Sequence, residues 1–358
     1  MPISNNPVIP RITFGIIVLN GEPFTRYNLR SLYPWAHQII VVEGACKSAA
    51  ANSDTKGHSK DGTLDVLRLF QEKEDTEKKI KIITAEDEGY LDGFWPGEKN
   101  EMSQVYAKNA TGDYIWQIDV DEFYREQDIK KVLMMLCRDS SITAVSFRTY
   151  GFWGCREACL DGYSLRDGAR DFHRLFKWGE GYCYTTHRPP TVVDKQGRDL
   201  RNVRHITAKQ MSTLGIFMYH YLFVFPFQVR AKNEYYGKMS PELAAARNRW
   251  VENYFSLKDP FFICSTSLYG EPSWLVPFHG DHPSVIKNLF DCVNRGELKM
   301  EVRCTDDIYK LLKSPMYRFK KKHLLLLWFF RDKKRKIIGI FKKMIMNIAA
   351  ASRWVSVY

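Results

Sequence analysis

The distribution of apolar and polar positions along the first 150 residues predicts strands that alternate with single helices. Short buried-type apolar runs predict five strands, at 12–19, 38–43, 80–85, 114–118 and 144–150. Helical spacing predicts helices at 22–33, 98–110 and 127–137, and a fourth that Asp61 caps, with Leu64, Leu67 and Phe70 on its apolar side. This alternation is typical of an α/β fold with an open, mostly parallel sheet flanked by helices.

The pattern changes at Gly151. Trp, Tyr, Phe, Gly and Arg dominate to about residue 190 without a clear period, which predicts long functional loops over a crevice, with short strands such as 173–177. Residues 215–229 are strongly aromatic, and helices are predicted at 241–254 and 284–294. The C-terminal part is therefore expected to be a helical extension.

Polar groups follow three predicted strands of the first half. Asn20, Gly21 and Glu22 follow the first strand, Glu43 ends the second, and acidic residues follow the fourth. In parallel sheets the ligand lies beyond the carboxyl ends of the strands. These groups are therefore expected to face one crevice.

The fourth strand ends in the segment Asp119-Val-Asp121-Glu122. Alternate residues of a strand point the same way, so the two aspartates share a face if the strand continues, and they can still converge if the chain turns. Paired carboxylates suit a hard divalent cation such as Mg²⁺ or Mn²⁺, which would bridge a diphosphate. The alternative is a solvated strand end.

Four short motifs in order along residues 10–150 resemble the family 2 glycosyltransferases with the GT-A fold. They are the turn Asn20-Gly21-Glu22, the acid Glu43 with the later Ser59-Lys-Asp61-Gly-Thr63, the pair Lys99-Asn100, and Ala110-Thr-Gly-Asp-Tyr114 before Asp119-Val-Asp121. The sequence departs from the family at Glu43, where many members carry Asp, and at the insertion 45–58. The resemblance implies a GT-A domain at 10–240, with the nucleotide-sugar part at about 10–150 and acceptor and catalytic loops at about 151–240, then a helical extension at 241–310.

The resemblance also implies roles for individual residues. The set expected at the nucleotide sugar is Asn20, Glu22, Glu43, Asp61, Lys99, Asn100 and Asp119, and the set expected at the metal is Asp119, Asp121 and His220. For Glu43 a loop salt bridge is an equal alternative, and for Asn20 and Glu22 a turn or helix-start role is the main one. Gln104 competes with the Lys99–Asn100 match.

Inverting members of this family use an Asp or Glu to deprotonate the acceptor hydroxyl, and such a base needs to lie within hydrogen-bond reach of it. The candidates here are Glu157, Asp161, Asp167, Asp171 and Glu180, of which Asp161 and Asp171 are preferred for their Gly and aromatic neighbours. Each has a surface charge as its alternative. Trp95, Trp153, Trp178 and Tyr182 are candidates for stacking on sugar rings, with core packing as the alternative.

The positive charge lies almost entirely in one segment. Of the net +12, residues 310–358 contribute +13, from fourteen Lys and Arg against the single acid Asp332, which leaves −1 for the rest. A nucleic-acid binder needs a basic face on the folded body, so no nucleic-acid partner is expected. Basic and apolar residues together, including Trp328 and Trp354, predict that 311–358 is an amphipathic tail that lies on an anionic membrane. The alternative is a helix packed on the body.

The resulting hypothesis is a metal-assisted glycosyltransferase of the hexosyltransferase type. It would use Mn²⁺ or Mg²⁺, a nucleotide-sugar donor and a glycan or lipid-linked acceptor. The longest apolar run has seven residues, eight cysteines form no CxxC pair, and the N-terminus lacks a signal-peptide pattern, so a cytoplasmic protein held peripherally on the inner face of a membrane is expected. The alternatives are a nucleotidyltransferase acting on sugar phosphates and a non-catalytic, membrane-recruited glycan-binding protein.

Overall fold

A central sheet forms the middle of the fold. The computed structural model describes residues 9–161, 171–239, 243–263, 273–327, 329–330 and 333. Within that part of the chain the sheet has seven strands. In spatial order they are β12 (His205–Ile206), β6 (Ala144–Phe147), β9 (Phe172–Lys177), β4 (Tyr114–Asp119), β1 (Ile12–Val18), β2 (Gln38–Glu43) and β3 (Ile80–Ile83). β9 runs antiparallel to β4 and β6, and the other neighbouring strands are parallel.

Helices cover this sheet and continue toward the C-terminus. They are α1 (Thr25–Leu32), α2 (Thr63–Lys73), α3 (Lys99–Asn109), α4 (Glu126–Arg138), α5 (Ala208–Thr213), α6 (Pro226–Met239), α7 (Ala244–Ser256), α8 (Ser284–Asn294) and α9 (Asp306–Lys313). Short 3₁₀ turns lie at Tyr33–Trp35, Lys47–Asn52, Glu86–Glu88 and Leu200–Asn202. The predicted mixed α/β class, with a mostly parallel sheet flanked by helices and helices near the C-terminus, is confirmed.

The apolar patterns explain why these elements form. β1 is buried along its length because both faces of the sheet are covered. α2 buries Leu64, Leu67 and Phe70, the positions that its helical spacing predicts. α3 comes so close to β1 that a Cβ at Gly15 would lie 2.6 Å from the ring of Tyr106, so only glycine fits there.

A second sheet replaces the loops that were expected from residue 151 onward. Its described strands, in order, are β14 (Trp274–Pro277), β8 (Cys155–Asp161), β7 (Thr149–Trp153), β13 (Met218–Phe223) and β5 (Glu122–Phe123). A hairpin, β10 (Cys183–His187) with β11 (Pro190–Val193), follows β9. The loop prediction is wrong for these residues, because strands buried on both faces by aromatic side chains lose the alternation that identifies a strand.

Several further elements differ from the prediction. The single strand predicted at 144–150 is divided between the two sheets, as β6 and β7. The region 241–310, expected to be helical, also supplies β14, which pairs with β8. The helix predicted at 241–254 begins at Ala244, and α6 before it was not predicted.

The described start of the basic tail is helical. Residues 315–327 form a helix after α9, and the tail from 334 onward, with Trp328, lies outside the described residues. No helix in the described part of the chain is long and apolar enough to cross a membrane.

Candidate functional site

The acidic segment after β4 connects the two sheets. β4 ends at Asp119, residues 120 and 121 form a turn, and Glu122 begins β5. β4 pairs with β1 in the main sheet, while Glu122 lies opposite His220 of β13 in the second sheet. The turn therefore places three carboxylates at the carboxyl edge of the main sheet, beside a histidine of the second.

Glu122 is bound by a buried arginine. Arg174 Nε donates to Glu122 Oε2 at 2.9 Å, Nη2 donates to Glu122 Oε1, and Nη2 lies 3.3 Å from Asp119 Oδ2. The Glu122 side chain is fully buried and that of Arg174 is 8 % exposed. Burial raises the pKa of Glu122, yet the pair satisfies both of its oxygens. Glu122 therefore shapes the turn and presents no free carboxylate to a ligand.

Asp119, at the end of β4, contacts the same arginine. Its burial works against ionisation, but the positive charges of Arg174 and Lys99 outweigh that effect and hold its pKa well below the usual range. Its side chain is 31 % exposed. Asp119 is thus an ionised group that a ligand can reach.

Asp121 has two basic neighbours. His220 Nε2 lies 3.2 Å from Asp121 Oδ1, and Lys232 Nζ lies 3.7 Å from Asp121 Oδ2. Burial by itself would raise the pKa of Asp121, but the neighbouring His220 and Lys232 outweigh burial and lower the pKa to about 2. The structure therefore brings together Asp121 and His220, two of the three residues predicted at a metal, and adds Lys232 beside them.

The donor set of Asp121 and His220 suits Mn²⁺ or Mg²⁺ in chemistry, since it offers a carboxylate oxygen and an imidazole nitrogen. Among the described residues, no group of three or more His, Cys, Asp and Glu side chains is arranged to hold a metal ion. Magnesium is commonly held by one or two carboxylates together with substrate phosphates. The residues therefore fit an ion whose coordination is completed by a diphosphate, rather than an all-protein cage.

The end of β1 is tied to the loop that follows β2. Asn20 adopts a left-handed backbone conformation, with φ 56°. Its side chain donates to the Asn52 carbonyl at 2.6 Å and accepts from the Lys60 backbone N–H at 2.7 Å. The Asn20 amide is thus already hydrogen-bonded to the loop, which agrees with the turn role expected as its alternative.

Glu22 and Asp61 also come together at this edge. The Glu22 backbone N–H donates to Asp61 Oδ2 at 2.9 Å, and Asp61 Oδ1 accepts from Thr63 N at 3.1 Å, at the start of α2. Burial and the nearby Asp61 charge raise the pKa of Glu22. Gly62 and not Asp61 occupies the N-cap position of α2, so the predicted cap is wrong, although Asp61 still contacts the first residue of the helix and is exposed.

Glu43 is fully buried at the end of β2. Its Oε1 accepts from the Ser59 N–H at 2.8 Å and from the Ser59 hydroxyl at 2.7 Å, and its Oε2 lies 2.9 Å from His58 Nδ1. His58 Nε2 lies 3.1 Å from Glu86 Oε1. Of the two roles expected for Glu43, these contacts favour the loop salt bridge over a nucleotide contact.

The first turn of α3 supplies Lys99 and Asn100. The Lys99 charge acts on Asp119, whereas Asn100 Oδ1 accepts from the backbone N–H of His187 at 2.7 Å. His187 is buried, its Nδ1 lies 2.8 Å from Ser103 Oγ, and burial lowers its pKa to about 3. Lys99 thus faces the acidic edge, while Asn100 anchors the β10–β11 hairpin.

The candidate bases are separated by the fold. β9 is antiparallel to β4, so Asp171, just before β9, lies at the edge where β4 ends, and Glu180 lies at the opposite edge. Asp161 pairs with Trp274, whose Nε1 donates to Asp161 Oδ2 at 3.0 Å. Register and alternation place it on the opposite face of the second sheet from His220.

Of the two remaining candidates, one lies away from the acidic edge and the other lies outside the described residues. Glu157 lies on the same strand as Asp161 and contacts Arg156 and Tyr309. Asp167 lies outside the described residues. Of the two preferred residues, the structure therefore places Asp171 near the acidic edge and Asp161 away from it.

Arg174 and His58 were not predicted at the site. Arg174 lies in the predicted strand 173–177, where no role was assigned to it. An arginine between apolar residues of a buried strand nevertheless indicates a buried carboxylate partner. His58 lay in the insertion, where no motif marked it. Arg174 reaches Glu122, 52 residues away, through strand pairing, and His58 reaches Glu43, 15 residues away, through packing of the loop, so the tertiary structure is needed to reveal both.

No protein-family model matches the chain, and no curated protein matches it. Among solved structures, it is similar to S. aureus TarS 1–349 in complex with UDP-GlcNAc, with 16 % identity and a TM-score of 0.30, over 40 % of this chain and 35 % of that one. A second structure, of S. aureus TarS 1–349, matches with 12 % identity and a TM-score of 0.36, and this match covers 70 % of this chain and 74 % of that one. The chain is also similar to glucosyl-3-phosphoglycerate synthase from Mycobacterium tuberculosis in complex with Mn²⁺, UDP and glucosyl-3-phosphoglycerate. This match has 16 % identity and a TM-score of 0.28, and it covers 40 % of this chain and 45 % of the synthase.

Proposed function

We propose that the protein is a glycosyltransferase of the family 2 type, which moves a sugar from a nucleoside-diphosphate sugar to a hydroxyl of a glycan or lipid-linked glycan. The observation that carries this proposal is the turn at 119–122. It places the ionised Asp119 and Asp121 beside three basic side chains, His220, Lys232 and Lys99, at the carboxyl edge of a mostly parallel sheet. Alternating carboxylates and cations suit a metal-bound diphosphate, which needs both.

Three side chains would bind the donor. Lys232 and Lys99 flank the acidic edge and would pair with phosphate oxygens, while Asp119 would accept hydrogen bonds from the ribose hydroxyls. Asp121 and His220 would hold Mn²⁺ or Mg²⁺. When bound, the ion would neutralise the charge that develops on the departing nucleoside diphosphate.

Asp171 is our proposed general base. It lies just before β9, at the edge where β4 ends with Asp119. From there a carboxylate would take the proton of the acceptor hydroxyl as its oxygen attacks the anomeric carbon and the diphosphate leaves. Attack opposite the leaving group inverts the anomeric centre.

Thermal unfolding with a panel of nucleoside diphosphates, with and without Mn²⁺ or Mg²⁺, tests the donor site. We expect one nucleoside diphosphate to raise the Tm in a metal-dependent way, because a ligand that binds only the folded state stabilises it by mass action. Asp121→Asn should abolish that shift, and Asp65→Asn, an exposed acid on α2, should not.

Two outcomes would contradict the proposal. No response to any nucleotide with either metal would remove the donor site. Pyrophosphate release from a nucleoside triphosphate and a sugar phosphate would instead identify a nucleotidyltransferase.

We also propose that the C-terminal segment holds the protein on the inner, cytoplasmic face of an anionic membrane. The described helix at 315–327 and the adjacent residues expose five large apolar side chains at helical spacing. They are Met316, Phe319, Leu326, Leu327 and Phe330, each at least 53 % exposed. Lys320 and Lys322 are exposed on the same helix. Exposed apolar and basic groups together suit the interface of an anionic bilayer, and such a location fits a lipid-linked acceptor.

A further inference from the structure

An open groove follows the outer side of α3. Two adjoining depressions of about 420 and 360 Å³ share Ala107, Lys108 and Trp178 in their walls. On α3 the lining extends from Glu101 in the first turn to Lys108 in the last. At 1.5 Å per residue this part of the helix is about 11 Å long, and the second depression continues from it to Arg11 and Asp113, so the groove suits an extended chain better than a single small molecule.

Aromatic side chains form much of one wall. Trp178 and Tyr182 are half-buried and pack against the core beneath α3, and Tyr90 is 38 % exposed. The ring of Tyr90 meets the edge of the fully buried Trp95, with centroids 6.0 Å apart. Because they are packed against the core, these rings keep their positions without a ligand, which lowers the entropy cost of binding.

Polar side chains stand along the same groove. Glu101, Gln104 and Lys108 are exposed on α3, and Glu88 lies across from Lys108, with 3.8 Å between Lys108 Nζ and Glu88 Oε2. At the far end the charges of Arg11 and Asp113 are paired at 2.8 Å. Acids and bases are thus mixed, so the groove carries no strong field of either sign.

We infer that this groove binds an oligosaccharide, with Trp178 and Tyr182 stacked against pyranose faces and the polar side chains of α3 hydrogen-bonded to hydroxyls. A sugar ring has an apolar C–H face, which suits the electron-rich face of an aromatic ring, and a rim of hydroxyls. A nucleic acid or an anionic lipid would need a positive field, and a purely apolar ligand would remove the exposed carboxylates of Glu88 and Glu101 from water.

The groove also bears on the acceptor of the proposed reaction. α3 begins at Lys99, whose charge reaches Asp119, so the helix extends from the acidic edge along the groove. An acceptor glycan whose end lies at the site would have its remaining sugars along α3. This step rests on the proposed function, whereas saccharide binding by the groove does not.

Saturation-transfer NMR on the full chain tests the inference, with chitotetraose, cellotetraose, maltotetraose and xylotetraose as probes and dodecanoate as an apolar comparison. We expect at least one tetrasaccharide to bind, and Trp178→Ala and Tyr182→Ala each to weaken it tenfold or more. Trp35→Ala is the matched control, because Trp35 is also half-buried against a core cluster but lies away from the groove. It should bind the sugar as the unmodified protein does.

The saccharide-binding groove and the nucleotide donor site can be tested independently. Asp121→Asn should keep the tetrasaccharide signal, and Trp178→Ala should keep the metal-dependent nucleotide shift. The groove proposal is overturned if none of the four tetrasaccharides binds at millimolar concentration, if dodecanoate alone binds, or if Trp178→Ala and Tyr182→Ala bind sugar as tightly as Trp35→Ala.

Discussion

Arg174 and Glu122 form a buried, two-point ion pair beneath the acidic turn, although they lie 52 residues apart in the chain. The pair fixes the strand end that carries Asp119 to β9, because Arg174 also contacts Asp119 at 3.3 Å. Both side chains are almost completely buried. The geometry of the candidate site therefore depends on a contact that itself binds no ligand.

Replacing Arg174 by Met should destabilise the protein by about 3–5 kcal/mol, because Glu122 is then left as an unpaired buried charge. Urea unfolding at pH 7 measures the change. The matched control is Arg11→Met at the exposed Arg11–Asp113 pair, whose side chains are 56 % and 42 % exposed. That loss should be much smaller than the loss at Arg174, because an exposed ion pair contributes little to stability, and equal losses in the two variants would contradict the structural role of Arg174.

Replacing Asp171 by Asn should lower kcat on the order of 10²- to 10⁴-fold, because the acceptor hydroxyl loses its general base. Donor affinity should not change, which nucleotide-induced thermal stabilisation checks. Asp161→Asn serves as the control, because its carboxylate lies on the other face of the second sheet and accepts a hydrogen bond from Trp274. A larger loss of kcat in Asp161→Asn would show that the wrong residue has been chosen.

The His58 contacts make a definite prediction about pH. Burial lowers the pKa of His58, but the carboxylates of Glu43 and Glu86 outweigh it, so that the pKa in the folded protein is raised. A raised pKa gives stability that is complete below the unfolded value of about 6.5 and is lost as the pH rises through the folded value.

The free energy of unfolding, measured from pH 5.5 to 8.5 for the unmodified protein and for His58→Gln, tests this sign. The advantage of the unmodified protein should shrink as the pH rises. An advantage that is constant or that grows with pH would contradict the ion pair.

Membrane binding should depend on the exposed apolar side chains of the helix at 315–327. Changing Phe319, Leu326 and Leu327 together to Ser should weaken binding to phosphatidylglycerol vesicles at least tenfold, because each buried side chain contributes about 1.5–3 kcal/mol. Point changes are preferable to truncation at Pro315. Truncation would also remove the buried Tyr317, whose hydroxyl donates to the Leu275 carbonyl at 2.9 Å.

The comparison variant for the membrane test is Leu69→Ser, an exposed leucine on α2 that is 48 % accessible. It should bind vesicles as the unmodified protein does. Equal binding by all variants, or binding that does not weaken as salt rises, would contradict the membrane proposal.

Local patterns alone were sufficient for several elements. β2 and α8 have the predicted bounds, because a buried apolar run and a helical apolar spacing are each complete within one segment. The order of strands and helices then favours a parallel sheet, and the carboxyl edge of that sheet identifies Asp119 and Asp121 as neighbours of Asn20 and Glu22. These conclusions need only short-range periodicity and the rules of chain connection.

Only the tertiary structure decided which polar groups are free to meet a ligand. The sequence determined that Glu43, Glu122 and Asp161 are acidic, but it cannot assign their partners. These partners are His58, Arg174 and Trp274, respectively, and they reach the acids through strand pairing and loop packing. The second sheet was hidden for a similar reason, since strands that aromatic side chains bury on both faces show no alternation. Periodicity is a property of one segment, whereas the charge and accessibility of a carboxylate depend on every segment packed around it.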